Sequence, residues 1–189
     1  RSRTQVSKLR EQLEEIGADP IELPSIEIAP LQDYSNLDRA LSDGVSLETR
    51  WVIFSSTNSV ESVFSRLEAL GLDSRVFANA TIAAIGPATA LELKNRGIKP
   101  DFIPTSSPSE SVLQELSQYQ WQGVPVLLPI SDIGREVLSE GLTKMGATVT
   151  RLPAYRTVIP DHISETAKQL IQDGIDVVTF TSSSTVRNL

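Results

Sequence analysis

The sequence predicts an α/β protein that is built from parallel sheets and divided between two domains. Short apolar runs rich in β-branched residues alternate with amphipathic stretches of helical spacing, the pattern of parallel strands joined by helices. The segment Val52-Ile53-Phe54-Ser55-Ser56-Thr57 resembles Val178-Thr179-Phe180-Thr181-Ser182-Ser183, and Gly-Ala and Leu-Pro pairs recur in the same order at nearly the same spacing. These matches indicate a duplicated α/β unit, with chance similarity of strand–turn–helix segments as the alternative.

Strands and helices alternate along the whole chain. Apolar residues at helical spacing predict a first helix over residues 6–16, which ends at Gly17, a residue type favoured just after a helix. Buried-type apolar runs predict strands at residues 21–23, 51–54, 81–85, 101–103, 124–128, 148–152 and 176–180. Amphipathic spacing predicts further helices at residues 59–70, from 87, 109–116, 134–145, 164–171 and from 184.

Individual residue types support these assignments. Pro87 suits the first turn of a helix, where the backbone N–H that proline lacks would have no partner. Ser109 is a candidate N-cap. Pro125 is best tolerated near the start of its strand. Trp51 and Trp121 are predicted to anchor the core rather than to serve as stacking platforms.

Two extended segments bracketed by prolines are predicted to link the domains. They cover residues 25–33 and 153–159, which are equivalent positions in the repeat. The first domain then comprises residues 1–24 and 160–189, and the second comprises residues 34–152. A two-stranded β linker is a natural hinge. Because parts of the repeat have no counterpart within the 189 residues, we expect the first domain to be truncated at both ends.

Composition excludes several functional classes. The chain has no cysteine and a single histidine, His162, so we expect neither a metal site nor a Ser-His-Asp triad. A formal charge of −7 argues against a nucleic-acid partner. No apolar run is long enough for a membrane span, and no signal peptide is evident. We therefore expect a cytoplasmic monomer that acts on a small molecule without a cofactor.

Four predicted strand-to-helix turns are rich in small polar residues. In open parallel sheets, ligands bind at the carboxyl ends of the strands, where helix N-termini present unpaired N–H groups to anions. The alternative is that each Ser or Thr only caps its own helix. None of the turns has a P-loop or dinucleotide-binding pattern, which disfavours nucleotides. The turns lie at residues 55–58, 86–89, 131–134 and 181–185.

Tyr155 is the best single candidate for a chemical role. It lies in the predicted return linker, beside the cleft that a hinge would form. A phenol can donate a proton or a hydrogen bond to a departing oxygen. Packing against the hinge is the alternative role. Arg156 could bind an acid or form a surface ion pair, and His162 is predicted to be solvated and inert.

Taken together, the motifs resemble those of the uroporphyrinogen-III synthase family over essentially the whole chain. Each motif is weak alone, but their order and spacing are specific. The resemblance implies two HemD-like, flavodoxin-like α/β domains joined by a two-stranded linker. It also implies a lyase that converts hydroxymethylbilane, a polycarboxylate, to uroporphyrinogen III with loss of water and inversion of the last pyrrole ring. The matching motifs lie at residues 1–18, 23–28, 51–60, 82–90, 97–101, 108–111, 134–138, 146–147, 154–157 and 176–186.

The resemblance also implies which residues act. Tyr155 matches the linker tyrosine of the family, and we expect it to assist loss of the substrate hydroxyl. Substrate-binding roles carry over to Arg1, Ser56, Thr89, Ser183 and Thr185, and the same turns add Thr57, Asn58, Gly86, Ser182 and Ser184. One turn departs from the family, because Asp132 stands where many relatives carry a basic residue and would repel a carboxylate.

Two other functional classes stay open at this point. A non-catalytic HemD-like module could sense a ligand or bind a partner, although the retained Tyr155 and the Ser/Thr turns disfavour this interpretation. A two-domain binding protein for a small anion would share the hinge. The ratio of type-III to type-I product from hydroxymethylbilane distinguishes both from the enzyme.

Overall fold

The computed structural model describes residues 7–44, 49–106, 108–134, 136–161, 163–180 and 186. The chain divides into two compact units, one formed by residues 1–29 and 157–189 and the other by residues 30–156. The helices are α1 Ser7–Glu15, α2 Ser35–Arg39, α3 Thr57–Ala69, α4 Pro87–Asn95, α5 Ser109–Leu116, α6 Val137–Lys144 and α7 Ile163–Asp173. The strands are β1 Glu27–Ala29, β2 Trp51–Phe54, β3 Thr81–Ala84, β4 Pro125–Ser131 and β5 Thr148–Val158.

Strands β2 to β5 form a parallel sheet with a crossover in its strand order. The order across the sheet is β1-β5-β4-β2-β3, and the pairs β2–β3, β2–β4 and β4–β5 are all parallel. Counted from β2, the four strands therefore lie in the order second, first, third, fourth. This is the flavodoxin-like order. The second strand is added on one side of the first strand, and the third and fourth strands are added on its other side.

The sheet is covered by apolar side chains on both faces, as alternation along a buried parallel strand requires. Trp51 and Ile53 belong to a core cluster with α5 and α6 residues such as Leu116 and Leu142. Val52 and Phe54 are fully buried and point to the opposite face, where Phe54 meets Phe77 edge to face at 6.1 Å between ring centroids. The four-residue run of β2 is thus hydrophobic throughout because neither of its faces reaches water.

The two tryptophans are core residues, as predicted. Trp51 and Trp121 are 8% and 3% exposed, and their ring centroids lie 4.9 Å apart. The indole N–H of Trp121 donates to the carbonyl of Leu116 at 2.7 Å, which satisfies the polar end of a buried ring.

Most predicted helices are confirmed to within a few residues. Helix α1 ends at Glu15, close to the predicted end, and Gly17 follows with a φ of 84° in the left-handed region. The N–H of Ala18 closes the helix end by donating to the carbonyl of Leu13. Pro87 is the first residue of α4, as expected. The prediction that Ser109 is an N-cap is wrong, because Pro108 occupies that position and no side chain caps α5.

The strand predictions fail where no neighbouring strand completes a ladder. Residues 21–23 are not a strand, and residues 101–103 contribute only the single bridge of Phe102 to Ala83. Residues 176–180 are irregular in the structure, with Val177 74% exposed. Apolar alternation alone does not make a strand, because the backbone N–H and C=O groups need partners.

Residues 34–44 contain a helix that the sequence pattern did not predict. Helix α2 and the π-helical turn Ala40–Gly44 that follows it bury Leu37 and Leu41 almost completely. Arg66 of α3 forms a bidentate ion pair with Asp38 at 2.7 and 2.9 Å and lies over the Tyr34 ring at 4.4 Å. These tertiary contacts stabilise a segment that is too short to be a stable helix by itself.

Helices α5 and α6 cross so closely that Gly141 has no room for a side chain. A Cβ built there would lie 2.3 Å from one methyl group of Leu113 and 2.9 Å from its Cγ. We expect Gly141→Ala to lower the free energy of unfolding by about 1–3 kcal/mol, because overpacking outweighs the intrinsic helix preference of alanine. Urea unfolding measures the change. In a Leu113→Ala background the same substitution should be neutral or stabilising, and a stabilised single variant would contradict the close crossing.

We expect Glu61 of α3 to oppose folding at neutral pH. Partial loss of solvent around its carboxylate, followed by repulsion from Glu92, raises the pKa of Glu61, while Arg96 opposes the shift. A carboxyl whose pKa is raised by folding contributes stability at low pH and loses it as the pH rises above its ordinary pKa. We therefore expect Glu61→Gln to have a higher Tm than the parent at pH 7, with the difference gone below about pH 4.

Thermal unfolding at the two pH values tests this expectation. Glu68→Gln, on the same helix, controls for replacing glutamate with glutamine. Equal Tm values for the parent and Glu61→Gln at pH 7 would contradict a pKa of Glu61 that folding raises.

Within the described residues, no helix combines the length and the apolarity needed to cross a membrane.

Candidate functional site

The strand order locates the candidate site at the carboxyl ends of β2 and β4. The chain continues from β2 to β3 towards one edge of the sheet and from β4 to β5 towards the other. In proteins of this architecture, the crevice between the carboxyl ends of two such strands binds ligands. Ser56 follows β2, and Ser131 ends β4. Continued beyond Val52 and Leu127, the β2–β4 register aligns Ser56 with Ser131. Both hydroxyl residues therefore stand at the point where the chain direction changes.

Tyr155 joins this edge through an irregularity in β5. Ile130 pairs with Pro153 but the next residue, Ser131, pairs with Tyr155, so Ala154 is an extra residue on β5. The N–H of Asp132 donates to the carbonyl of Tyr155 at 3.0 Å and holds this register. A bulge bends its strand and re-aims the side chains beside it. The 8% exposure of Tyr155 shows that its ring is packed, not displayed on a surface.

The phenol of Tyr155 reaches across the end of β4 to Ser56. The two side-chain oxygens are 3.1 Å apart, and either can donate. Ser56 is also the N-cap of α3, where its Oγ accepts from the N–H of Ser59 at 3.1 Å. With that acceptor role fixed, Ser56 can direct its single proton at the phenol oxygen, which leaves the phenol proton free to donate to a ligand. The candidate site is built around this pair.

Ser56 is therefore both a helix cap and a site residue, so the two interpretations of its turn are compatible. The sequence pattern pointed to Ser56 but not to Ser59, which supplies the N–H and also donates its hydroxyl to the Ser56 carbonyl at 2.7 Å. The available signal was the Ser-x-x-Ser spacing, because the residue three positions after an N-cap commonly completes the cap. Thr57 and Asn58, predicted to bind substrate, are half-buried residues in the first turn of α3.

The turn after β3 is tied to the same edge by backbone contacts. The N–H of Ile85 donates to the carbonyl of Phe54 at 2.8 Å. Gly86 is buried with a φ of 97°, a conformation that favours glycine, and it begins α4 without a side-chain cap. Thr89 is only 3% exposed, and its hydroxyl donates to the Ile85 carbonyl at 3.2 Å. Its hydroxyl proton is thus already engaged, so Gly86 and the α4 N-terminus are the better candidates for binding an anion.

The turn after β4 presents an apolar side chain. Asp132 accepts hydrogen bonds from the hydroxyl of Ser131 and from the N–H of Ile133, both at 3.0 Å. Gly134 closes the turn by donating to the Ser131 carbonyl at 2.9 Å, and a Cβ on Gly134 would lie 2.3 Å from the side chain of Ile130. This leaves Ile133 71% exposed.

Arg151 and Arg156, two arginines that the structure describes close to the candidate site, already have partners. The Nε of Arg156 donates to the carbonyl of Pro30 at 3.2 Å. Arg151 bonds the carboxylate of Glu136 at 2.7 Å and the carbonyl of Gly134 at 2.9 Å. Within the residues that the structure describes, Arg156 forms no ion pair, so the surface ion pair considered as one of its two roles is not seen there.

Several predicted binding residues lie outside the described part of the chain. These are Arg1, Ser182, Ser183, Ser184 and Thr185. His162, predicted to be inert, lies outside it as well.

An open cavity of about 470 Å³ lies at the other edge of the sheet. Its lining includes Arg50, Thr81 and Pro125, which stand at the amino ends of β2, β3 and β4. The chemistry-bearing pair of Ser56 and Tyr155 is at the carboxyl ends, so this cavity is not the candidate site.

Comparison with known proteins identifies the family. The profile described as uroporphyrinogen-III synthase HemD matches residues 7–189. A uroporphyrinogen-III synthase of Synechococcus elongatus is 35% identical over 190 residues, which cover 100% of this chain and 70% of that protein. A porphyrin biosynthesis protein HemD of Ruminiclostridium josui is 30% identical, with 94% of this chain and 35% of that protein covered.

A solved structure supports the fold. A mutant uroporphyrinogen III synthase from the extremely thermophilic bacterium Thermus thermophilus matches with a TM-score of 0.73 and 22% sequence identity, over 98% of this chain and 72% of that one. This likeness confirms the predicted α/β fold, and the sequence matches confirm the predicted enzyme class. The chain therefore belongs to the uroporphyrinogen-III synthase HemD family of lyases.

Proposed function

We propose that this chain converts hydroxymethylbilane to uroporphyrinogen III and that Tyr155 is its proton donor. The single observation that carries the proposal is the 3.1 Å contact between the Tyr155 and Ser56 hydroxyls, at the edge of the sheet where β2 and β4 end. The family assignment supports the reaction, and the site geometry supports the role of the residue.

The substrate supplies most of the reactivity itself. When the terminal hydroxyl leaves a pyrrolic CH₂ group, the ring nitrogen stabilises the resulting azafulvene. Donation of the Tyr155 proton turns the departing hydroxide into water. The phenolate then takes back the proton that is lost as the macrocycle closes, so one water is released and no net proton is consumed. A site of this kind needs a positioned donor rather than a strong base.

The contacts of Ser56 support this direction of proton transfer. The N–H of Ser59 donates to Ser56 Oγ, and Ser56 can in turn donate to the phenol oxygen. Each donation polarises the next group and makes it a better donor, because linked hydrogen bonds strengthen one another in a low-dielectric interior. The N-terminus of α3 adds positive electrostatic potential beside Ser56, where this chain of hydrogen bonds begins.

Binding is proposed to rely on backbone N–H groups at helix N-termini, since the net charge of −7 cannot attract a polycarboxylate. In the unit of residues 30–156, we assign carboxylate binding to Gly86 and the start of α3. In the unit of residues 1–29 and 157–189, we assign the same role to Arg1 and to the Ser/Thr turn at residues 182–185. Folding the substrate against these groups would favour attack at the substituted carbon of the last ring, the step that inverts it. We also propose that the chain works in the cytoplasm as a monomer, that it binds no nucleic acid, and that the linker segments act as a hinge.

The decisive test is the isomer ratio. The purified chain is incubated with hydroxymethylbilane, and the products are oxidised and separated. We expect type-III uroporphyrin in excess over the type-I isomer that forms spontaneously. Type-I product alone, at the rate of the buffer control, would favour the non-catalytic alternatives.

A further inference from the structure

The turn after β4 displays an apolar residue beside the candidate site. Ile133 is 71% exposed, so most of its apolar surface is available to a ligand that binds at the carboxyl ends of β2 and β4. Its neighbour Asp132 donates its N–H to the carbonyl of Tyr155, so Ile133 lies one residue from a direct contact with the backbone of the proposed proton donor.

The turn is built to hold Ile133 outward. The Asp132 carboxylate is folded back onto the turn, where it accepts from Ser131 and from the N–H of Ile133 at 3.0 Å each. Gly134 fits where a Cβ would collide with Ile130. Contacts of the residues on either side of Ile133 therefore fix the conformation of the turn, and Ile133 is left as its exposed apolar side chain.

From this placement we infer that Ile133 is a substrate-positioning residue that packs against the face of a pyrrole ring of the linear tetrapyrrole. The inference rests on the proposed function. It also explains why a turn that carries an acidic residue can belong to the site of a polycarboxylate substrate, because the turn contacts the apolar ring and not the carboxylates. An aliphatic side chain against an aromatic ring is a contact that salt does not screen, unlike a contact to a carboxylate.

Equilibrium binding of uroporphyrin III, followed by fluorescence, tests the contact without requiring turnover. We expect Ile133→Ser to weaken binding about tenfold and Ile133→Val about threefold, in proportion to the apolar surface removed. Both factors should be the same at low and at high salt. Ile171→Ser removes a side chain that is 67% exposed on α7, in the other compact unit, and is the matched control that should leave binding unchanged.

The KM for hydroxymethylbilane should rise by similar factors, with a smaller change in kcat. Unchanged binding by Ile133→Ser, a loss that disappears at high salt, or no uroporphyrin binding by the parent would each overturn the inference. A parent that binds uroporphyrin but forms no type-III product would overturn the proposed function instead, while the binding series still decides the role of Ile133.

Discussion

Replacing Tyr155 with phenylalanine is expected to lower kcat for type-III product by about 100-fold or more. Loss of a positioned general acid typically costs this much. The ring itself is 8% exposed and stays in place in the variant, so packing is retained and only the hydroxyl is removed. Stability should fall by no more than about 1 kcal/mol, the usual net value of one hydrogen bond. The measurement is the initial rate of type-III uroporphyrinogen formation, with spontaneous type-I product subtracted.

Tyr119→Phe is the matched control for this substitution. It removes the same hydroxyl from a tyrosine that packs against Trp51 and is 39% exposed, in a cluster on the α5 side of the sheet. We expect its rate to equal that of the parent. If Tyr155→Phe keeps the full type-III rate while thermal unfolding shows it to be folded, Tyr155 is not the proton donor.

The periodicity of the sequence was sufficient for the framework of the larger unit. Runs such as Trp51–Phe54 are apolar at every position, which indicates a strand buried on both faces. Helix starts and ends were signalled by single residues, including Pro87 at the start of α4 and Gly17 after α1. Each of these signals depends only on residues near it in the chain, so it can be recognised from a single sequence without knowledge of tertiary contacts.

The failures came where tertiary contacts decide the local structure. Helix α2 is stabilised by burial of Leu37 and by contacts of Asp38 and Tyr34 with Arg66, which lies 28 residues from Asp38 and leaves no mark on the local pattern. Residues 176–180 have a strand-like pattern, but the described residues supply no ladder partner. In both cases the long-range partner, rather than the intrinsic preference of the segment, determined the outcome.

The sequence singled out two residues that the structure brings together, but it gave no sign of the contact between them. Tyr155 and Ser56 were both singled out, yet they are 99 positions apart, and no local pattern says that their hydroxyls meet. The extra residue Ala154 was also unforeseen, although the neighbouring Pro153 was a usable signal because proline within a strand often marks a bulge or an edge. This shift of register pairs Tyr155, rather than Ala154, with Ser131 at the end of β4.

The hydrogen bond between Ser56 and Tyr155 is also expected to be important for catalysis. Ser56→Asp keeps the helix cap, because aspartate accepts from the N–H of Ser59 as well as serine does. A carboxylate has no proton to give, so the phenol must donate to it and is no longer available to the substrate. We expect kcat at saturating substrate to fall at least about tenfold, and at most by the roughly 100- to 10,000-fold that a positioned general acid contributes, with little change in Tm.

Ser56→Thr separates the two roles of this residue, because threonine both caps the helix and retains a hydroxyl that can donate to Tyr155. Its kcat should stay within about threefold of the parent, a difference of less than about 1 kcal/mol. Residues that act as one unit are not additive, so the double variant Ser56→Asp with Tyr155→Phe should be no slower than Tyr155→Phe alone. Multiplicative losses in the double variant would mean that Ser56 acts on the substrate independently of the phenol, and the 3.1 Å contact would then be structural.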